Sequence, residues 1–351
     1  MDDIKISIIM PAYQVEKTIQ KAVESLQNQT LSEWELIIVN DCSTDGTKML
    51  CERLCQIDAR IKLINLDTNM GLAYARNCGI QQAVGRYITF VDSDDWIEPD
   101  TLSASWASVL KYDADIAVWG MIQDLQIEQN QPIYTSVTIT YKDKLFDTQN
   151  TVLKSIALLD YAKIFPYTCN KLYKRELLGD IRFSNVLLVE DFLFNLRAFE
   201  KASRVVSIKK AYYHYVQTMA NNTLSSKYNP DYFSSMCIRF ASLLSLYEKY
   251  QIDSDTLNLI YNTNNKILVS TMVRLWSKNN QQTFRQKVHS IKLILNHAFC
   301  RLSSHRAIPI TPKDRLYKYT LMSGSKYLSS FVTLVIYGVS RYASTIFYRF
   351  K

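Results

Sequence analysis

The chain has 351 residues and a formal charge of +8, with 48% of its residues apolar and 21% charged. That composition supports one large or two modest packed domains and excludes wholesale disorder. The charge does not describe a nucleic-acid surface. Between Lys313 and Lys351 lie seven basic residues (Lys313, Arg315, Lys318, Lys326, Arg341, Arg349, Lys351) against the single acid Asp314, so net +6 sits in the tail and no basic stripe interleaved with aromatics is left elsewhere.

The start Met1-Asp2-Asp3 is acidic where a secretory signal opens basic, and the apolar run 4–10 is too short for one, so a cytoplasmic protein is expected. Cys51 and Cys55 are one helical turn apart with no histidine nearby. They read as small core residues, a zinc site being the other reading. Residues 4–10 predict a strand and 16–27 a helix. A second apolar run, 35–39, precedes a Ser43/Thr44 cap and a helix to about residue 56. Residues 61–66 predict a third strand, 72–84 a third helix and 87–91 a fourth strand, with further strands over 114–119 and 133–141. This alternation predicts an α/β, doubly wound, Rossmann-like sheet with crossover helices. After about residue 229 the periodicity turns helical, over 231–250, 254–278 and 282–302. The expected organisation is a catalytic domain over 1–228, a helical region over 229–310 and a basic amphipathic tail over 311–351.

Polar clusters follow the carboxyl ends of successive strands, where open α/β sheets bind ligands. They are Pro11-Ala12-Tyr13, then Asn40-Asp41-Cys42-Ser43-Thr44-Asp45-Gly46, then Asp92-Ser93-Asp94-Asp95. Three carboxylates in four residues repel one another unless a cation or donor groups hold them. Hard oxygen ligands suit Mg²⁺ or Mn²⁺ on a substrate phosphate. The alternative is a solvated turn of capping aspartates.

The segments Ile8-Ile9-Met10-Pro11-Ala12-Tyr13, 39–47, Gly71-Leu72-Ala73-Tyr74-Ala75-Arg76-Asn77-Cys78-Gly79 and Phe90-Val91-Asp92-Ser93-Asp94-Asp95 resemble glycosyltransferase family 2, the inverting enzymes of the GT-A fold. Segments 168–177 and Val189-Glu190-Asp191-Phe192-Leu193-Phe194 resemble the second half of that domain, so the likeness runs over about 4–225. It implies a GT-A catalytic domain followed by a helical C-terminal region. It also implies a UDP-sugar donor, Mn²⁺ or Mg²⁺, and a glycan or lipid-linked acceptor in bacterial surface-polysaccharide synthesis. Residue by residue, Asp41 would accept the uracil N–H beside the loop Pro11, Ala12 and Tyr13. Arg76 would lie near base and diphosphate, Asp92 at the ribose, Ser93 among the donor-binding residues, and Asp94 on the metal. Asp95, Glu190, Asn170 and Lys171 would line the acceptor or donor-sugar side, and Asp191 would be the general base. Asn40, Gln14 and Cys42 depart from the family pattern, where Asp, Asn and Gly are common.

An inverting transfer needs one carboxylate opposite the leaving group, within reach of the attacking hydroxyl. Asp191 suits that task, although Glu190-Asp191 could simply favour the dipole of the helix over 192–201. His214 could reach metal or phosphate, or be a satisfied, half-buried imidazole. Arg274-Leu275-Trp276 resembles the R-W of processive synthases, but 270–273 lacks their glutamine, so transfer of a single sugar is expected. From Lys326 onward Leu328, Phe331, Val335, Val339, Ile346 and Phe350 recur at helical spacing, with Arg341 interrupting. This helix is expected to lie in the inner face of the membrane. Packing on the chain's own helices or on a second subunit are the alternatives. A nucleotidyltransferase would need glycines and a basic residue in the first loop, and 11–16 has neither. A catalytically inactive nucleotide-sugar or glycan-binding protein is the remaining rival.

Overall fold

The computed structural model describes residues 4–126, 132–218 and 228–349. The start Met1-Asp2-Asp3, Phe350, Lys351 and the side chains of 340–349 lie outside that description. The chain divides into two compact units, Met1–Asn221 and Asn222–Lys351.

The first unit opens with β1 (Ile6–Ala12), α1 (Ile19–Gln27), β2 (Trp34–Asn40), α2 (Thr47–Ile57), β3 (Ile61–Asn65), α3 (Leu72–Gln82) and β4 (Tyr87–Phe90). All seven residues of β1 and of β2 are buried, as expected of parallel strands covered on both faces. β5 (Trp96–Ile97), α4 (Thr101–Tyr112), β6 (Ile116–Gln126), β7 (Ile133–Ile139), β8 (Lys144–Phe146) and α5 (Gln149–Tyr161) follow. Then come β9 (Lys171–Lys174), α6 (Arg175–Leu178), α7 (Glu190–Lys201) and β10 (Val205–Thr218). The sheet order is β3-β2-β1-β4-β9-β6-β10-β5, with β7 on β6 and β8 on β10. β9 runs antiparallel to both β4 and β6, which makes the sheet mixed.

Two features of this sheet position the site. A Cβ on Gly79 would fall 2.4 Å from Ile9 Cγ2, so glycine lets α3 settle onto β1 and carry Arg76 towards the strand ends. β10 shifts register between Ile208 and Ala211 and again before Tyr213. It then pairs Tyr213 with Ile97 and His214 with Trp96, which brings β10 beside the turn at 92–95.

Ser43 and Thr44 do not cap α2. Gly46 holds the N-cap without a side-chain bond. The two hydroxyls instead accept from Gln14, Ser43 Oγ from its backbone N–H at 3.2 Å and Thr44 Oγ1 from its Nε2 at 2.7 Å. They stitch the loop after β1 to the loop after β2.

The second unit is helical: α8 (Tyr232–Tyr250), α9 (Ser254–Arg274), α10 (Phe284–Asn296), α11 (Ala298–Arg306), α12 (Pro312–Met322) and α13 (Lys326–Arg349). The helix expected over 282–302 breaks at His297, which is extended (φ −68°, ψ 141°) and caps α11 by accepting from the Phe299 N–H at 3.2 Å. Arg274-Leu275-Trp276 packs this unit. Arg274 lies 4.4 Å from the Tyr232 ring, Leu275 and Trp276 are buried, and Trp276 Nε1 donates to Thr333 Oγ1 at 3.0 Å. Among the described residues no helix is long and apolar enough to cross a membrane.

Candidate active site

Pro11 and Ala12 end β1 buried, and Tyr13 emerges from it 49% exposed. Asp41, at the end of β2, is 4% exposed. Its Oδ1 accepts from the Met70 N–H at 2.7 Å and its Oδ2 from the Gly71 N–H at 2.8 Å. The carboxylate thus holds the turn that opens α3, where Gly71 takes φ +86°. Each oxygen keeps a lone pair for a further donor. Gln14 (φ 55°) and Cys42 (φ 59°) both adopt left-handed backbone, which Asn and Gly reach at lower cost. Asn40 bonds Asn65 Oδ1 and the Ser43 N–H.

Arg76, on α3 and 2% exposed, joins two carboxylates. Its Nη1 donates to Asp191 Oδ1 at 2.5 Å and its Nη2 to Asp92 Oδ1 at 2.8 Å. The guanidinium lies 5.3 Å from the Phe183 ring, and its buried Nε has no hydrogen-bond partner among the described residues. Burial opposes the charge, yet Asp191 and then Asp92 raise the pKa above the ordinary arginine value.

The acidic turn splits into outward and inward carboxylates. Ser93 is buried, and the Asp92 N–H donates to the Tyr213 hydroxyl at 3.2 Å. Asp94 exposes its side chain to solvent but sits in a recess. Desolvation there, and next the Asp92 charge, push its carboxyl up to about 6. Asp95 turns the other way. It is 1% exposed, with Oδ2 accepting from Tyr213 Oη at 2.6 Å and Oδ1 from the Val216 N–H at 2.8 Å. Burial, then the charges of Asp94 and Asp92, raise its carboxyl well above the usual range. Asp95 therefore ties the turn to β10 and does not line an open pocket.

Asn170 and Lys171, expected on the acceptor or donor-sugar side, are also interior, each 0% exposed. Lys171 Nζ donates to the carbonyls of Ile164 (3.0 Å), Phe165 (3.1 Å) and Tyr167 and to Asn170 Oδ1 (2.8 Å). Asn170 Nδ2 donates to Trp119 O and Ile164 O, and Asn195 Nδ2 to Phe165 O and Tyr167 O. These donors fix the loop 164–167. The next residue, Thr168, meets Asp191 Oδ2 through its hydroxyl at 2.9 Å and its N–H at 3.3 Å. Asp191 and Glu190 open α7. Glu190 Oε2 is buried without a hydrogen-bond partner among the described residues, and burial, followed by the Asp191 charge, raises its pKa.

His214 is not free to take a ligand. Its Nδ1 faces Asp124 Oδ2 at 2.7 Å, its Nε2 faces Glu98 Oε1 at 2.9 Å, and its ring stacks on Trp96 at 3.4 Å. Thr168, Tyr213 and Asn195 are site residues that sequence reasoning missed. The run Tyr212-Tyr213-His214-Tyr215 is aromatic throughout, and Tyr212, Tyr213 and His214 are all buried, so no alternation in the sequence marks Tyr213.

The structure thus gathers Asp41, Arg76, Asp92, Asp94, Glu190 and Asp191 at the strand ends. Asp94 and Asp92 offer adjacent hard oxygens, and the Asp94 carboxylate has no side-chain donor among the described residues. Among those residues no three His, Cys, Asp or Glu side chains converge as a complete metal cage. This donor set fits a cation that draws its remaining ligands from phosphate and water.

The mixed sheet, with its acidic turn after β4 and a helical C-terminal region, has the architecture of the GT-A glycosyltransferases. Glycosyl transferase family 2 matches residues 7–182, and the chain belongs to that family. Glycosyltransferase GlyA of Streptococcus pneumoniae is 34% identical over 224 residues, 61% of this chain and 30% of GlyA. EpsJ of Bacillus subtilis, an uncharacterized glycosyltransferase, is 30% identical over 253 residues, 70% of each chain. The crystal structure of TarS 1–349 from Staphylococcus aureus in complex with UDP-GlcNAc superposes with a TM-score of 0.62 at 22% identity, covering 97% of this chain and 92% of that one. The chain spans under a third of GlyA's length, so it shares one segment of that protein.

Proposed function

We propose that the chain is an inverting transferase that moves a single hexose or N-acetylhexosamine from a UDP-sugar to a hydroxyl of a glycan or lipid-linked acceptor. The product would enter a bacterial capsule, lipopolysaccharide O-antigen or related polysaccharide. The observation that carries this reading is the Arg76 bridge, which joins Asp92 on the donor side to Asp191. TarS, which shares the fold, binds UDP-GlcNAc, and that supports a uridine donor here.

In this reading Pro11, Ala12 and Tyr13 wall the base, and the spare lone pairs of Asp41 receive its imide N–H. Asp92 and Ser93 meet the ribose. Asp94, with Asp92 beside it, would hold Mn²⁺ or Mg²⁺, which neutralises charge on the departing diphosphate. Thr168 fills both lone pairs of Asp191 Oδ2, whereas Arg76 takes one of those on Oδ1. The acceptor hydroxyl therefore gives its proton to Oδ1. The acceptor oxygen bonds to the anomeric carbon as the bond from that carbon to the diphosphate oxygen breaks, and UDP leaves with the electron pair. Glu190 Oε2, which has no donor among the described residues, is the acceptor-side group. The enzyme would work at the cytoplasmic face of the membrane, held there peripherally by its C-terminal tail.

A thermal-shift panel of nucleotide sugars identifies the donor, since a ligand at 100 times its Kd adds about 2.7 kcal/mol. NMR of the product then reads the anomeric configuration. A β-linked product from an α-linked donor is expected, and an α-linked product overturns inversion.

A further inference from the structure

The last helix of the second unit turns three hydroxyl residues inward, with Ile336 and Tyr337 on the core, and leaves an apolar stripe outward. On α13 Ser329, Ser330 and Thr333 are between 0% and 4% exposed, whereas Tyr327, Leu328, Phe331, Val335 and Val339 are between 46% and 67% exposed. The inward hydroxyls are satisfied: Ser329 Oγ donates to Thr320 O at 3.0 Å, and Thr333 Oγ1 accepts from Trp276 Nε1. Small side chains let α13 seat on its neighbours, so the outward apolar stripe follows from specific packing. Packing on the chain's own helices, one alternative for this stripe, is used up by the opposite face.

The solvent-accessible charge on α12 and at the start of α13 has one sign. Lys313 and Arg315 are exposed, and Lys318 and Lys326 half-buried. The one acid nearby, Asp314, is 1% exposed, caps α12 through Thr311 and lies 3.3 Å from Lys266 Nζ. An apolar stripe that begins at Lys326, on a segment whose other cations on α12 pair with no acid among the described residues, matches the boundary between acyl chains and anionic headgroups. A two-fold pairing of copies through this face would instead oppose like charges.

We propose that the outward stripe of α13, centred on Phe331 and Val335, is the surface that docks on an anionic bilayer. This rests on the peripheral-membrane reading above and names the residues that carry it. The helix lies in the plane of the interface, with the Lys313–Lys326 cations at the headgroups.

Flotation of the full chain with phosphatidylcholine vesicles, with and without phosphatidylglycerol, tests this. The wild type should float with the anionic vesicles, and Phe331→Glu/Val335→Glu should reduce flotation by on the order of ten-fold or more. An unchanged melting response to UDP shows that the variant is folded. Lys313→Glu/Lys326→Glu keeps the stripe and should lose the preference for anionic lipid. If wild type and stripe variant float equally, the surface is wrong while the peripheral reading stands. If neither floats and both are monomers by light scattering, surface and peripheral reading fall together. A wild-type dimer that the stripe variant dissociates, without flotation, makes this face a copy interface and overturns the proposal.

Discussion

The hydrogen bond from Arg76 Nη1 to Asp191 Oδ1, 2.5 Å long, fixes the candidate base to a helix laid down 115 residues earlier. The same guanidinium grips Asp92, so under the proposed roles donor binding at Asp92 and the position of Asp191 are coupled through one side chain. A planar fork can hold two carboxylates at once, and a lysine ammonium cannot reproduce it.

Arg76→Lys should therefore lose one of the two pairs. The expected loss is about 10²-fold in kcat/KM, the scale of one misplaced catalytic group. Because both carboxylates are partly exposed, the stability cost should be only about 1–3 kcal/mol. Steady-state kinetics and a thermal scan check this, and a variant with wild-type kcat contradicts the link.

Lys171 gives a pH signature. Burial lowers its ammonium to about 7, below the usual lysine value of about 10.4. Between those values the unfolded chain binds the extra proton, so this group adds stability as pH rises through that window. Lys171→Met removes the dependence and leaves carbonyls of loop 164–167 without donors, at a cost of about 1–3 kcal/mol for each oxygen left unsatisfied. Denaturant unfolding at several pH values should show the gap between wild type and variant widening from pH 7 to 10. A gap independent of pH contradicts the assignment.

The first four strands and three helices were legible because apolar runs alternate with amphipathic helices at βαβ lengths. Which way consecutive carboxylates face was not. Asp94 and Asp95 are neighbours in sequence, yet only Tyr213 and Val216, more than a hundred residues later, turn Asp95 inward. Asn170 and Lys171 were expected on the acceptor or donor-sugar side because segment 168–177 resembles the family domain, and that resemblance carries no information on which way their side chains turn. Carbonyls of the 164–167 loop, invisible to a residue pattern, make Lys171 an interior strut. The departures at Gln14 and Cys42 were seen in sequence, but their left-handed backbone was not.

The metal is tested through Asp94. UDP affinity should be higher with Mn²⁺ than with EDTA, and Asp94→Ala should remove that difference while leaving metal-free UDP binding in place. Calorimetric titration reads both. Equal affinity with and without the ion in the wild type removes the metal from the account.

The central claim is that Asp191 accepts the acceptor's proton, and Asp191→Asn tests it most directly, because the amide keeps the shape and gives up the basicity. General base catalysis contributes about 10²–10⁴-fold. The account predicts that kcat falls within that range while UDP binding is retained and stability drops by only about 1–3 kcal/mol, the cost of weakening the Arg76 pair. A variant that retains more than about a tenth of the wild-type kcat contradicts it.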